Sequence, residues 1–513
     1  MISAKYGTVT EAHPVVKTTH GQVMGETWDG IAVFRGIPYG ASTGGAGRFE
    51  APKPAADWTG VRDCCSKNGD ICPQFGQGSV SNPDVPYWNA FHPEKFRTET
   101  EDRSEDCLRL NVLTPGIGDK KRPVLVYFHG GGFTTGTGTL VLGADEWIRE
   151  QDFVLVGVNH RLNIFGYLYL GGLDEKYRSS GMAGMLDLVL SLQWVRDNIA
   201  AFGGDPDCVT IMGESGGGMK VSTLMDMEEA RGLFQRAIVI SGSRPVGALL
   251  PEEAEKATET VMERLKVHSA EELKAVPQDA LLQASEGLFF EPVADDVHLA
   301  VNREKQFRAP LIDVPLLVGS SEDEMAVFMK IENLRFGFDE LKDRLVHQAP
   351  GRLLTPIKEE DADRIIRIFR ETDRKNNDAP HLYCKIVSMN NTLGDNAFYQ
   401  AMATSEKNTS PVYHYLIAYD SPYEQYLSWH VSWHTHELPL DMRIVAYPEA
   451  GEEMSLKFSA SWANYIKYGN PDTEDWKWEA FRPDTRRVLV IDDVTRVETD
   501  PIRPYREAFG RYI

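Results

Sequence analysis

The sequence predicts an α/β architecture, a mostly parallel central sheet with helices on both faces. Three observations predict it. Five apolar runs, Val124–Phe128, Phe153–Val158, Val209–Met212, Ala237–Ile240 and Val314–Val318, are continuous rather than alternating, as strands covered on both faces are. Between the second and third, Met185, Leu188, Leu192, Val195 and Ile199 recur at helical spacing. Strand, helix, strand, turn, helix, strand is the order from which parallel sheets are built.

The remaining elements follow along the chain. Pro411–Tyr419 and Arg487–Ile491 read as late strands, and Met454–Tyr468 as a closing amphipathic helix. Residues 251–310 and 335–405 are charge-rich and helical in pattern, Pro251–Lys266 and Glu359–Arg370 most clearly. They read as insertions over one end of the sheet. No repeat, linker or break in composition divides the chain, so residues 1–513 are expected to form one domain.

Bulk composition narrows the function. With 513 residues, 42% hydrophobic and 25% charged, the chain has material for a large core. A net charge of -22 disfavours nucleic acid and anionic membranes as partners. No apolar run reaches the roughly 18–20 residues of a membrane span. The start, Met1 to Gly7, lacks the apolar core and cleavage site of a secretory signal; a cytoplasmic protein is expected. Six scattered cysteines without a C-x-x-C pair point to neither a disulfide scaffold nor a zinc or redox site.

The chemistry is concentrated in Val209-Thr210-Ile211-Met212-Gly213-Glu214-Ser215-Gly216-Gly217. An apolar, β-branched run feeding a serine between glycines is the pattern of a strand-to-helix nucleophile elbow. A serine hydroxyl is a poor nucleophile unless the backbone exposes it and a base takes its proton. A second glycine run, His129-Gly130-Gly131-Gly132-Phe133, directly follows an apolar strand. Such a loop can aim successive N–H groups at one oxygen, joined by the N–H after the nucleophile, here that of Gly216. The pair points to attack on a carbonyl with Gly131, Gly132 and Gly216 as oxyanion donors.

An orienting acid and a base must come from elsewhere, and local chemistry leaves both open. Glu322, Asp323 and Glu324 share one turn, and His430, His434 and His436 lie close together. Metal binding by His434, His436 and Glu437 competes, but no further ligand is nearby to complete a tetrahedral site. No metal or cofactor is therefore expected. Phe133 and Trp433, with Tyr426, Trp429, Phe289 and Phe290, read as candidate pocket aromatics suited to apolar or aromatic groups.

The ordered motifs resemble the type-B carboxylesterase family, which includes bacterial esterases of the p-nitrobenzyl-esterase kind and animal cholinesterases. They are Phe34-Arg35-Gly36-Ile37-Pro38-Tyr39, Ser104-Glu105-Asp106-Cys107-Leu108 with Leu110-Asn111-Val112, the two glycine stretches, and Asn159-His160-Arg161-Leu162. Phe202-Gly203-Gly204-Asp205-Pro206, Trp462 and Gly469-Asn470-Pro471 complete the series, which runs from about Gly21 to Phe481. The resemblance implies an α/β-hydrolase fold and a serine carboxylic ester hydrolase working through an acyl-enzyme. It selects Glu324 as acid, although Met325 replaces the glycine that usually follows, and His434 of His434-Thr435-His436-Glu437-Leu438-Pro439 as base. Ser215, Glu324, His434 is then the α/β-hydrolase order.

Three further points follow from the resemblance. Position 216, glycine here, is usually alanine in the family. Cys72 and Cys107 match the positions that form a disulfide in secreted members, and a reducing cytosol would keep them as thiols. Some cell-surface members only bind partners, but they lack part of the triad and carry an anchor. A small-molecule ester is the expected partner, with amides or carbamates as alternatives open to the same triad.

Overall fold

The computed structural model describes residues 9–10, 12–76, 101–329, 335–348, 353–373, 378–420, 431–444 and 448–511. Among these, the main sheet runs through β1 (Val9–Thr10), β2 (Glu26–Trp28), β3 (Ile31–Pro38), β4 (Arg109–Thr114), β5 (Arg122–Phe128) and β6 (Val154–Val158). It continues with β7 (Gly204–Glu214), β8 (Arg236–Ile240), β9 (Leu316–Ser321), β10 (Val412–Ile417), β11 (Arg487–Ile491) and β12 (Arg496–Thr499). Their spatial order is β1-β2-β3-β4-β6-β5-β7-β8-β9-β10-β11-β12. From β6 to β11 all neighbours are parallel, and antiparallel ladders form both margins.

The parallel centre is where the continuous apolar runs lie. Every residue of β6 and the last six of β7 are buried. The helix read through Met185–Ile199 is α1 (Ala183–Asn198), and α2 (Gly216–Leu224) follows β7. The antiparallel strands β2 to β4 were not anticipated, because charged residues interrupt their apolar pattern. Arg35 and Glu26 are both buried there and neutralise one another across 2.6 Å.

Both charge-rich segments are helical. The first holds α3 (Pro251–Leu265), α4 (Ala270–Ala275) and α5 (Gln278–Ala284); the second holds α6 (Phe338–His347), α7 (Glu359–Thr372), α8 (Ala379–Met389) and α9 (Asn396–Lys407). In α7 only Ala362, Ile365 and Phe369 are buried, one apolar stripe beneath a charged face. The chain closes through α10 (Glu437–Asp441) and α11 (Pro448–Tyr468).

Two buried anchors fix the loops at the carboxyl end of the sheet. Arg161, just past β6, forms a two-pronged pair with Asp187 of α1 at 2.6 and 2.9 Å and also reaches Glu50 O at 2.8 Å. Removing one partner of such a buried pair typically costs about 3–5 kcal/mol. Asn163 donates to Pro73 O and Thr134 O, and Gln74 receives the Gly136 N–H at 2.7 Å. Cys72 and Cys107 lie in hydrogen-bond contact as free thiols, and that contact together with burial holds the Cys107 thiol well above its usual range.

Candidate active site

Ser215 occupies the single residue between β7 and α2, at φ 56° and ψ -123°. Such a conformation costs about 1–3 kcal/mol for a residue with a side chain. It is held in place by the Ser215 N–H, which donates to Ile240 O at 2.8 Å, and by Met219 N–H, which donates to Ser215 O at 3.0 Å. The flanking glycines are needed for contact. A Cβ at Gly217 would stand 2.0 Å from Phe128 O, and one at Gly213 would stand 2.2 Å from the Gly217 carbonyl carbon.

Phe128, at the end of β5, pairs with Gly213 of β7, so the glycine loop emerges beside the elbow. Gly131 and Gly132 take φ values of 83° and 62°, which glycine adopts without penalty. Thr134 and Thr135 N–H donate to Gly131 O, and Asn163 N–H donates to Phe133 O at 2.7 Å. No protein acceptor meets the N–H groups of Gly131 or Gly132 among the described residues. The Gly216 N–H, in the first turn of α2, has no partner within its helix.

Glu324 lies just past β9 and is fully buried. Its Oε2 stands 2.5 Å from His434 Nδ1, while Oε1 accepts from the Ser241 hydroxyl at 2.6 Å and the Ser321 N–H at 2.7 Å. Ser241 directly follows β8. Glu324 is thus fixed from two neighbouring strands. The other carboxylates of the turn go elsewhere: Glu322 pairs with Lys385 at 3.3 Å, and Asp323 faces His381 at 3.7 Å. The second nitrogen of His434, Nε2, points toward the elbow and lies 3.2 Å from Glu214 Oε1.

The sequence model of the Carboxylesterase family matches residues 12–505. The chain belongs to the carboxylesterase family. The para-nitrobenzyl esterase of Bacillus subtilis (strain 168) is 31% identical over 517 aligned residues, covering 95% of this chain and 97% of its own. Phenmedipham hydrolase of Pseudarthrobacter oxydans is 37% identical over 54% of this chain and 53% of its own. A solved PNB esterase superposes with a TM-score of 0.77 at 29% identity, covering 97% of this chain and 100% of that one. This carboxylesterase is accordingly a serine carboxylic ester hydrolase with the α/β-hydrolase fold.

The electrostatics of this carboxylesterase centre on His434. Burial alone would pull its imidazole down, but the Glu214 and Glu324 carboxylates outweigh burial and raise it to about 9. Burial pushes Glu214 up to about 7, Glu324 adds to the shift, and His434 and Lys220 oppose it. Behind them Glu437 is raised to about 8 by burial and by Glu324. Asp441 is raised well above the usual carboxylate range, mainly by burial and then by Glu437. These groups form a buried acid cluster that ends at His434.

Of the expected pocket aromatics, Trp433 is fully buried, its ring centroid 4.4 Å from that of His436. Phe133 is almost fully covered, edge-on to Tyr167 at 5.2 Å. Tyr426, Trp429 and His430 lie outside the described residues. His436 is stacked on Tyr419 and tilted against Trp433. No group of three or more His, Cys, Asp or Glu side chains is arranged to hold a metal among the described residues. Nor is any described helix long and apolar enough to cross a membrane.

Three groups in this carboxylesterase escaped the sequence reading. Phe328 is 56% exposed with its ring centroid 5.4 Å from that of His434; it lies four residues past Glu324, and that proximity was its available signal. Glu214 sits inside the elbow motif and Lys220 on the helix that follows it, and the sequence gives neither a role.

Proposed function

We propose that Ser215 is the nucleophile, His434 the general base and Glu324 the acid that orients it. Gly131, Gly132 and Gly216 N–H groups receive the oxyanion. One observation carries this reading. The Glu324–His434 pair, closed at 2.5 Å, turns its free nitrogen toward the elbow that holds Ser215 at φ 56°.

His434 Nε2 takes the Ser215 proton as Oγ attacks the ester carbonyl. Glu324 keeps the other proton on Nδ1 and stabilises the imidazolium. The tetrahedral oxyanion meets loop N–H groups that have no competing partner, and each such donor is typically worth about 10²–10³ in turnover. Collapse expels the alcohol, which leaves with the proton from His434. Water, deprotonated by the same imidazole, then attacks the acyl-enzyme. The second tetrahedral intermediate collapses by breaking the bond to Ser215 Oγ, which takes the proton back from His434, and the carboxylic acid departs. The cycle balances with no metal or cofactor.

The substrates in this reading are small esters with apolar or aromatic parts. Phe328 beside His434 supports it. The 1–513 chain is read as one unit, its helical insertions near 251–310 and 335–405 joined to a single continuous sheet. The triad serves amides and carbamates as well, and a substrate panel separates those reactions.

The test is hydrolysis of a short-to-long p-nitrophenyl ester series by wild type and Ser215→Ala, with folding checked by circular dichroism. A folded variant that has lost activity and fluorophosphonate labelling supports the assignment. A folded variant that keeps wild-type turnover removes Ser215 from the role.

A further inference from the structure

Lys220 is fully buried on α2, five residues past Ser215. A buried ammonium is costly unless it is paired, yet its Nζ meets no carboxylate at ion-pair distance among the described residues. It donates instead to two carbonyls, His129 O at 2.9 Å and Gly132 O at 2.8 Å. These carbonyls bracket the glycine loop, one on each side of Gly130 and Gly131. The lysine therefore ties both ends of that loop to the helix that carries the elbow.

Gly216 sits against the same loop. A Cβ at Gly216 would stand 2.2 Å from Gly132 O and 2.4 Å from both Gly132 N and Gly132 Cα. The loop fills the space that an alanine methyl would need. Gly216 makes room for the loop, and Lys220 holds it there.

Lys220 shares its surroundings with a second cation, the Arg244 guanidinium, which lies 5.6 Å from the Phe133 ring. The Phe133 ring lies 5.4 Å from Nζ. His129 and His160 stack at 5.0 Å, each with Nδ1 against a backbone carbonyl. Burial and then the lysine charge hold both imidazoles neutral, His129 down at about 3. Glu214, at the end of β7, is the carboxylate whose field reaches Nζ; burial outweighs it and lowers the ammonium to about 7.

We propose that Lys220 is a positioning residue for ester hydrolysis. Acting through the His129 and Gly132 carbonyls, it presses the glycine loop onto Gly216 so that the loop N–H groups meet the oxyanion. This rests on the reading in which Ser215 is the nucleophile and the loop binds the oxyanion.

The experiment compares wild type, Lys220→Met, Lys220→Gln and Gly216→Ala, with competent sites counted by fluorophosphonate titration. The readouts are kcat per titrated site, KM for p-nitrophenyl butyrate, and inhibition by a trifluoromethyl ketone, whose serine adduct carries an oxyanion. In each Lys220 variant kcat per site is expected to fall about 10- to 100-fold while KM stays within about threefold, because the interaction is made only in the transition state. Ketone affinity falls in parallel. Gly216→Ala, which displaces Gly132, shows the same pattern, and adding it to Lys220→Met costs little more because both act on one loop.

A purely structural lysine would lower the count of titratable sites and leave kcat per site and ketone affinity within about twofold of wild type; that result overturns the proposal. Loss of all titratable sites in both Lys220 variants overturns it equally. Ser215→Ala is run alongside. Retained hydrolysis there breaks the nucleophile reading and this proposal with it, whereas an inactive Ser215→Ala with unaffected Lys220 variants breaks this proposal alone.

Discussion

Glu214 Oε1 lies 3.2 Å from His434 Nε2, the nitrogen that takes the Ser215 proton in the proposed mechanism. The contact is within ion-pair range but lacks hydrogen-bond alignment. The residue preceding the nucleophile therefore sets the charge felt by the base without occupying it as a fixed partner.

The pH dependence follows from that contact. His434 must be neutral to act as base, and it is raised to about 9, with burial overcome by Glu214 and Glu324. Activity should fall on the acid side along a limb centred above the ordinary histidine value of about 6.5. Glu214→Gln removes one of the two charges favouring the imidazolium, so the limb moves to lower pH. A kcat/KM profile on a soluble ester reads this directly. An unmoved limb would mean that Glu214 keeps its own proton across the range and leaves His434 to Glu324 alone.

Glu324→Gln should be severe without unfolding the protein. The amide oxygen can still receive Ser241 and Ser321, which now hold Oε1 at 2.6 and 2.7 Å. The amide nitrogen would then face His434 Nδ1 and favour the tautomer whose proton sits on Nε2, the wrong nitrogen for a base. A comparable loss of tautomer control lowers kcat by about 10⁴. Steady-state kinetics with circular dichroism checks it, and a loss under tenfold would take the orienting role from Glu324.

These partners explain how far the site could be read from sequence. Ser215 and the glycine loop were legible because their chemistry is local: apolar strand, sharp turn, glycines. The acid was legible only through the family resemblance, which selects Glu324, since Glu322, Asp323 and Glu324 are alike in local chemistry. They are separated only by where the fold sends them, to Lys385, His381 and His434. The central strands were legible through continuous apolar runs, whereas β3 hides behind the buried Arg35–Glu26 pair. For Trp433, nearness to His434 in sequence does not say which way the ring turns; its indole is buried and lies against His436.

The buried acids make a prediction about stability. Glu437 rises from 4.5 to about 8 through burial and then Glu324, so the folded state holds a proton that the unfolded chain has released. Stability from this group is full below about pH 4.5 and falls as pH rises through 8. His434, raised from 6.5 to about 9, has the same sign: its contribution is full below 6.5 and lost toward 9. Thermal melts should therefore show Tm dropping from pH 5 to pH 9. Glu437→Gln, neutral throughout, should match wild type at pH 5 and melt higher at pH 9. Equal melting at both pH values would show that solvent reaches the cluster and erases the shift.

Phe328 supplies the prediction that bears on specificity. Its ring is 56% exposed and tilted at 42° beside His434, with centroids 5.4 Å apart. Such a ring has one face on the base and another free for a substrate, so an aromatic leaving group can pack on it as it departs past His434. Phe328→Ala should raise KM for aryl and benzyl esters about 2- to 12-fold, the worth of one aromatic pair, and spare short alkyl esters. The exposed position makes the fold tolerant of the change, so circular dichroism should be unaltered. Matched aryl and alkyl esters with a common acyl group isolate the alcohol side. If kcat falls equally for both series while KM holds, the ring serves to pack the imidazole, and selection among alcohols must come from another part of the pocket.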